Sequence, residues 1–120
     1  MKNEQISPLI YFLDDEPSFC SIFQEYMSNF GYETHVFSEY EAAVAQVQIQ
    51  VPDVMCIDYR LRGITGDEFV KYVPDSVIKI LITGELNYEN APLFDAHLNK
   101  PFRLKELKNL IDDKFDSLNQ

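Results

Sequence analysis

The feature that most constrains this chain is an alternation, five times over, of a short apolar run with a longer amphipathic stretch. Leu9 to Leu13 is apolar throughout and short, the mark of a buried strand. Pro17 to Phe30 then carries Phe19, Cys20, Phe23, Met27 and Phe30 at roughly helical spacing. Pro17 suits a first helical position and Gly31 suits a stop. Glu33 to Phe37 reads as a second strand. Ser38-x-x-Glu41 has the form of a capping box opening a helix through about Ile49, with Ala42, Ala43, Val44 and Val47 on its apolar side. Val54 to Ile57 is a third strand. Thr65-x-x-Glu68 is a second capping box, predicting a short helix from about Gly66 to Val73 that Pro74 stops. Val77 to Ile82 is a fourth strand and Asp95 to Asn99 a weaker fifth. After Pro101 a last helix puts Leu104, Leu107, Ile111, Phe115 and Leu118 on one stripe.

Strand and helix in alternation imply an α/β fold, a parallel sheet with helices on both faces. Right-handed crossovers leave few topologies. The 120 residues suit one domain spanning 1–120, and 46% hydrophobic residues suffice for a core. Ten basic residues face twenty acidic ones, a formal charge of -10. Such a surface repels nucleic-acid backbones, so no direct nucleic-acid partner is expected. Cys20 and Cys56 fall in apolar patterns and read as small buried hydrophobes in a reducing compartment. No apolar run approaches the ~18 residues of a membrane span, and the polar start lacks the core of a signal peptide. A cytoplasmic location without membrane contact is the expectation.

The chemistry lies at the carboxyl ends of the strands, where open parallel sheets bind ligands. The first run ends in Asp14-Asp15, the third in Asp58, the fourth in Thr83 and the fifth in Asn99-Lys100. In the strand order 2-1-3-4-5, strands one and three are neighbours, and Asp14, Asp15 and Asp58 meet at one rim. At ~4 Å and an effective dielectric near 20, each like-charge pair costs about 4 kcal/mol. Either a proton or a hard cation must relieve this, and Mg²⁺ suits a few carboxylates with retained waters. Lys100 offers a further positive charge and Thr83 a hydroxyl donor. Taken singly, an Asp after a strand is a helix cap and a Lys before Pro is a surface charge. Their recurrence at successive strand ends favours a common site.

This set of residues resembles the receiver domain family of two-component response regulators. Leu13-Asp14-Asp15-Glu16 is similar to the family's acidic pair, Ile57-Asp58 to its acceptor segment, and Gly66 to the glycine eight residues beyond the acceptor. Thr83-Gly84 resembles its Thr/Ser followed by a small residue, and Lys100-Pro101-Phe102 its Lys-Pro-Phe signature, whose Lys-Pro bond is typically cis. The resemblance runs from about Pro8 to Asn119. It implies a flavodoxin-like doubly wound sheet and a signalling domain that takes a phosphoryl group onto Asp58 from a sensor histidine kinase or phosphotransfer protein. It further implies Mg²⁺ held by Asp14, Asp15, Asp58 and the Arg60 backbone carbonyl, with Thr83 and Lys100 on the phosphoryl group. Catalysis is then confined to the domain's own phosphorylation and dephosphorylation, and self-association into a homodimer stays open. Arg60 and Glu85 occupy positions that border the phosphoryl group in the family, and an ion pair between them across the pocket mouth is one expectation; two solvated surface charges is the other.

Three departures stand out. Arg62 replaces a common Pro. His97 stands three residues before Lys100, where the family usually has Tyr or Phe, so the switch there is weakened, pH-sensitive or absent. Only sixteen residues separate Thr83 from Lys100. A helix between the fourth and fifth strands is therefore at most ~2 turns long or is missing, and residues 84 to 94 stay ambiguous. Two further readings remain: a receiver-like interaction module with degenerate switching, and a small phosphatase with an aspartyl-phosphate nucleophile, for which Asp14-x-Glu16 gives only a loose resemblance to paired acids.

Overall fold

A computed structural model describes residues 7–85 and 93–118. Its strands are β1 (Leu9–Leu13), β2 (Glu33–Phe37), β3 (Val54–Asp58), β4 (Ile78–Thr83) and β5 (Ala96–Asn99). Its helices are α1 (Pro17–Ser28), α2 (Tyr40–Ile49), α3 (Gly66–Phe69) and α4 (Leu104–Leu118), with a 3₁₀ turn over Val70–Tyr72 after α3. The strands form one sheet in the order β2-β1-β3-β4-β5, every pairing parallel.

The period-2 alternation of the strands divides the core in two. Ile10, Phe12, Val54, Cys56, Ile78, Ile80 and Ile82 face α1 and α4, where Phe23 stacks on Phe12 at 4.2 Å between ring centroids. Tyr11, Leu13, Met55, Ile57 and Leu81 face α2 and α3. Every residue of β3 and β4 is buried, as central strands covered on both faces require. Cys20 and Cys56 are buried free thiols. No helix among the described residues is long and apolar enough to cross a membrane.

Local signals carried unequally. At Thr65 both halves of the capping box form: Thr65 Oγ1 accepts the Glu68 N–H at 3.2 Å, and Glu68 Oε1 accepts the Thr65 N–H at 3.0 Å. The box expected at Ser38 does not form, because the N-cap of α2 is Glu39, one residue later, and its side chain makes no capping bond. α1 ends at Ser28, and Gly31 reverses the chain at φ 84°, in the left-handed region that glycine enters freely. The helix expected through Val73 is α-helical only to Phe69 and then tightens. On α4, Leu107, Ile111 and Phe115 are buried, whereas Leu118 is 67% exposed. The ambiguous stretch between β4 and β5 includes residues 86–92, which lie outside the described residues.

Candidate functional site

Parallel register decides what meets at the carboxyl rim. Leu13 pairs with Ile57, so Asp14 leaves β1 beside Asp58 at the end of β3. Asp58 pairs with Ile82, and Thr83 with Asn99, which brings the end of β4 and the approach to Lys100 alongside. Backbone bonds then fix each exit: the Asp14 N–H donates to Phe37 O at 3.0 Å, Tyr59 N–H to Ile82 O at 2.8 Å and Lys100 N–H to Thr83 O at 2.8 Å.

Asp14, Asp15 and Asp58 each offer a carboxylate oxygen, and these oxygens lie within 4.8 Å of one another. The Lys100 ammonium stands 2.9 Å from Asp58 Oδ1. Asp58 and Asp14 are 4% and 1% exposed. Burial pushes the Asp58 carboxyl up to about 6; the Lys100 hydrogen bond opposes this and the Asp14 charge reinforces it. Asp14 is likewise raised by burial, against the pull of the Glu16 N–H that donates to its Oδ1 at 3.0 Å. Lys100 loses some basicity to burial, but Asp58 and then Asp14 and Glu16 outweigh that and leave it raised.

One ammonium among three carboxylates leaves the rim short of positive charge. Asp14 Oδ2 is buried and has no hydrogen-bond partner among the described residues. A buried acceptor without a donor is costly, and a ligand that coordinates oxygen would satisfy it. The donor set is all oxygen and mostly anionic, which fits a hard divalent cation. Among the described residues, Asp14, Asp15 and Asp58 form the group that could hold one.

Several neighbours shape this rim. Thr83 is buried, and its Oγ1 accepts the Glu85 N–H at 2.9 Å. Arg60 follows Asp58 by two residues, in an isolated antiparallel bridge with Thr65. Its Nη2 lies 2.9 Å from Glu85 Oε1, so the two charges do pair. Gly66 N–H donates to Tyr59 O at 2.7 Å, and a Cβ on Gly66 would stand 3.1 Å from both Asp58 O and Tyr59 Cα. A side chain here would press on that backbone, so Gly66 eases the close start of α3. The Lys100–Pro101 bond is cis. His97 pairs with Leu81 in β5 and is exposed. Cys20 is buried, as its apolar pattern implies, but its contact with the rim is not visible in sequence: the thiol donates to Asp14 O at 3.2 Å, and burial and then the Asp14 charge push it up to about 11 and keep its proton.

Comparison with solved structures finds close matches of fold. A response regulator receiver domain protein from Methanospirillum hungatei superposes with a TM-score of 0.85 at 22% identity, covering 93% of this chain and 96% of that one. The receiver domain of a Francisella response regulator gives 0.83 at 19%, with 93% and 99% covered. The response regulator TrrA of Thermotoga maritima, solved in complex with Mg²⁺ and BeF, gives 0.79 at 24%, with 90% and 98% covered. Comparison with the curated proteins finds no match. The family model of the response regulator receiver domain matches residues 10–112. With that match over most of its length, and with the parallel sheet that the family's solved members share, this chain belongs to the response regulator receiver domain family.

Proposed function

We propose that residues 1–120 are a single phosphoacceptor receiver domain, in which Asp58 takes a phosphoryl group from a phosphohistidine on a sensor histidine kinase or phosphotransfer protein. The observation that carries this reading is the Lys100 ammonium 2.9 Å from Asp58 beside two further carboxylates, with a buried oxygen of Asp14 left for a cation. In the transfer, an Asp58 carboxylate oxygen attacks phosphorus and forms an O–P bond. The P–N bond breaks, its electron pair stays on the imidazole, and that ring takes a proton from solvent. Lys100 stays close enough to hold the acceptor and balance charge on the phosphoryl oxygens. The Thr83 hydroxyl, on the adjacent strand end, donates to one of those oxygens once Asp58 is modified. Water later attacks phosphorus and returns the carboxylate and inorganic phosphate, so the domain turns over no other substrate.

Mg²⁺ is the cation we assign to Asp14, Asp15, Asp58 and the Arg60 carbonyl; when bound, it offsets negative charge on the transferring group. A structurally similar receiver has been solved with Mg²⁺ and BeF, which supports this choice. The acyl phosphate adds charge and acceptors at the rim, and a partner reads the altered equilibrium. His97 stands where relatives carry the aromatic switch residue, so the output step is the part of the reading that differs most from the family pattern. A cytoplasmic setting is part of the same reading.

Incubation with Mg²⁺ and acetyl phosphate, followed by intact-mass analysis, tests the proposal. An adduct of about 80 Da on the wild type, absent from Asp58→Asn and absent under chelator, is expected for an aspartyl phosphate. An adduct that survives Asp58→Asn moves the acceptor elsewhere and overturns the assignment.

A further inference from the structure

Asp14 is held at the rim from three directions. Its N–H donates to Phe37 O at 3.0 Å, and its Oδ1 accepts the Glu16 N–H at 3.0 Å. The third hold is on its carbonyl and comes from α1. Cys20, only 4% exposed, directs its thiol to Asp14 O at 3.2 Å, with Phe37 O a second acceptor at 3.5 Å. The Cys20 N–H in turn donates to Glu16 O at 3.2 Å, so the start of the helix is tied to the same loop.

Cys20 also packs in the core with Phe12, Phe23 and Met27. Packing alone asks for no donor, yet the thiol lies against two main-chain acceptors at the carboxyl ends of β1 and β2. A thiol keeps its proton at neutral pH and donates weakly. A peptide unit is planar, so the direction of the Asp14 carbonyl sets the orientation of the whole Asp14–Asp15 unit. That unit joins two of the three carboxylates whose oxygens converge within 4.8 Å. Asp14 Oδ2 is buried there without a hydrogen-bond partner among the described residues, an oxygen available to a ligand.

We propose that Cys20 is a positioning residue of the cation site: its thiol, hydrogen-bonded to Asp14 O, orients the Asp14–Asp15 peptide so that both carboxylates turn toward the ion. The inference deepens the Mg²⁺ assignment made above and rests on it.

Calorimetric titration of the full chain with Mg²⁺ tests it, with wild type, Cys20→Ala and Cys20→Ser compared at one pH. The two variants remove nearly the same volume, so lost packing is common to both and the hydroxyl alone separates them. Cys20→Ala should weaken Mg²⁺ binding by about tenfold, the low end for groups that support metal ligands. Cys20→Ser should recover most of that loss. The Asp15 amide nitrogen, on the same peptide unit, should shift in metal-free Cys20→Ala and return toward its wild-type position in Cys20→Ser. Equal Mg²⁺ affinity in wild type and Cys20→Ala overturns the proposal. Equal weakening in both variants also overturns it, because Cys20 would then act through packing. A wild type that takes up no Mg²⁺ would overturn this inference and the cation assignment together, so the wild type alone tells the two failures apart.

Discussion

Asp58 and Lys79 are both buried charges on adjacent central strands, and the fold treats them in opposite ways. At the carboxyl end of β3, Asp58 has a cation at 2.9 Å, yet it also has Asp14 and Asp15 beside it, so negative charge is in excess. Toward the amino end of β4, Lys79 has a backbone carbonyl and no counter-charge among the described residues. One end of the sheet gathers carboxylates around a single ammonium, and the other buries an ammonium on a carbonyl. A buried charge left uncompensated lowers stability, so relieving the charge at either end should raise it.

A cation at the acidic rim should have the largest effect. Mg²⁺ at about a hundredfold excess over its dissociation constant should stabilise the wild type by about 2.7 kcal/mol relative to chelator, read as a rise in the unfolding midpoint. Asp14→Asn should lose most of that rise, and Lys79→Met should keep it. A rise of the same size in Asp14→Asn would break the comparison, because the rim would then not be where the cation acts.

Removing the excess charge comes next. Folding raises the Asp58 pKa from 3.8 to about 6, so the folded state holds its proton more tightly than the unfolded state. The stability linked to that proton is fully present below pH 3.8 and is lost as pH rises through about 6. At neutral pH under chelator, Asp58→Asn should therefore be more stable than wild type by roughly 1–3 kcal/mol, less whatever Lys100 loses with its partner. The gain should shrink as pH falls toward 4 in denaturant titrations. Lys79→Met should also gain, by roughly 1 kcal/mol, because an apolar side chain replaces a buried charge. A gain for Asp58→Asn that is independent of pH would point to packing rather than charge.

Much of this comparison is legible in the sequence, but not evenly. Strand ends were readable because short apolar runs stop abruptly at Asp14, Asp58 and Thr83, and parallel order then fixes what meets. Gly66 is visible as a spacing from Asp58, although the 3.1 Å approach that favours it is not. The Ser38 box does not form because a four-residue pattern does not say which residue caps the helix, and the N-cap is Glu39. Lys79 was passed over because a single charge inside Val77 to Ile82 does not cancel the strand signal. Its meaning needed the face assignment, which only packing supplies. The signal that could have found it is the period-2 slot between Val77 and Leu81.

The smallest effect on stability should come from the charge pair that spans the rim. Arg60 and Glu85 meet at 2.9 Å, with side chains 75% and 40% exposed. Pairs this open to water contribute under about 1 kcal/mol, so Arg60→Ala should leave the unfolding midpoint nearly unchanged. Its position argues for a different effect. Glu85 is tied through its N–H to Thr83 Oγ1, and Arg60 follows Asp58 by two residues, so the pair links the two loops that flank the acceptor. On the proposed reading, the pair stands beside an acyl phosphate on Asp58 and hinders attacking water. Arg60→Ala is therefore expected to shorten the phosphoryl half-life severalfold, measured by decay of the mass adduct after donor removal, while Arg60→Lys, which keeps the charge, should recover part of it. A half-life unchanged in Arg60→Ala would reduce the pair to two surface charges. The rim's side of the contrast would then rest on Asp14, Asp15, Asp58 and Lys100 alone.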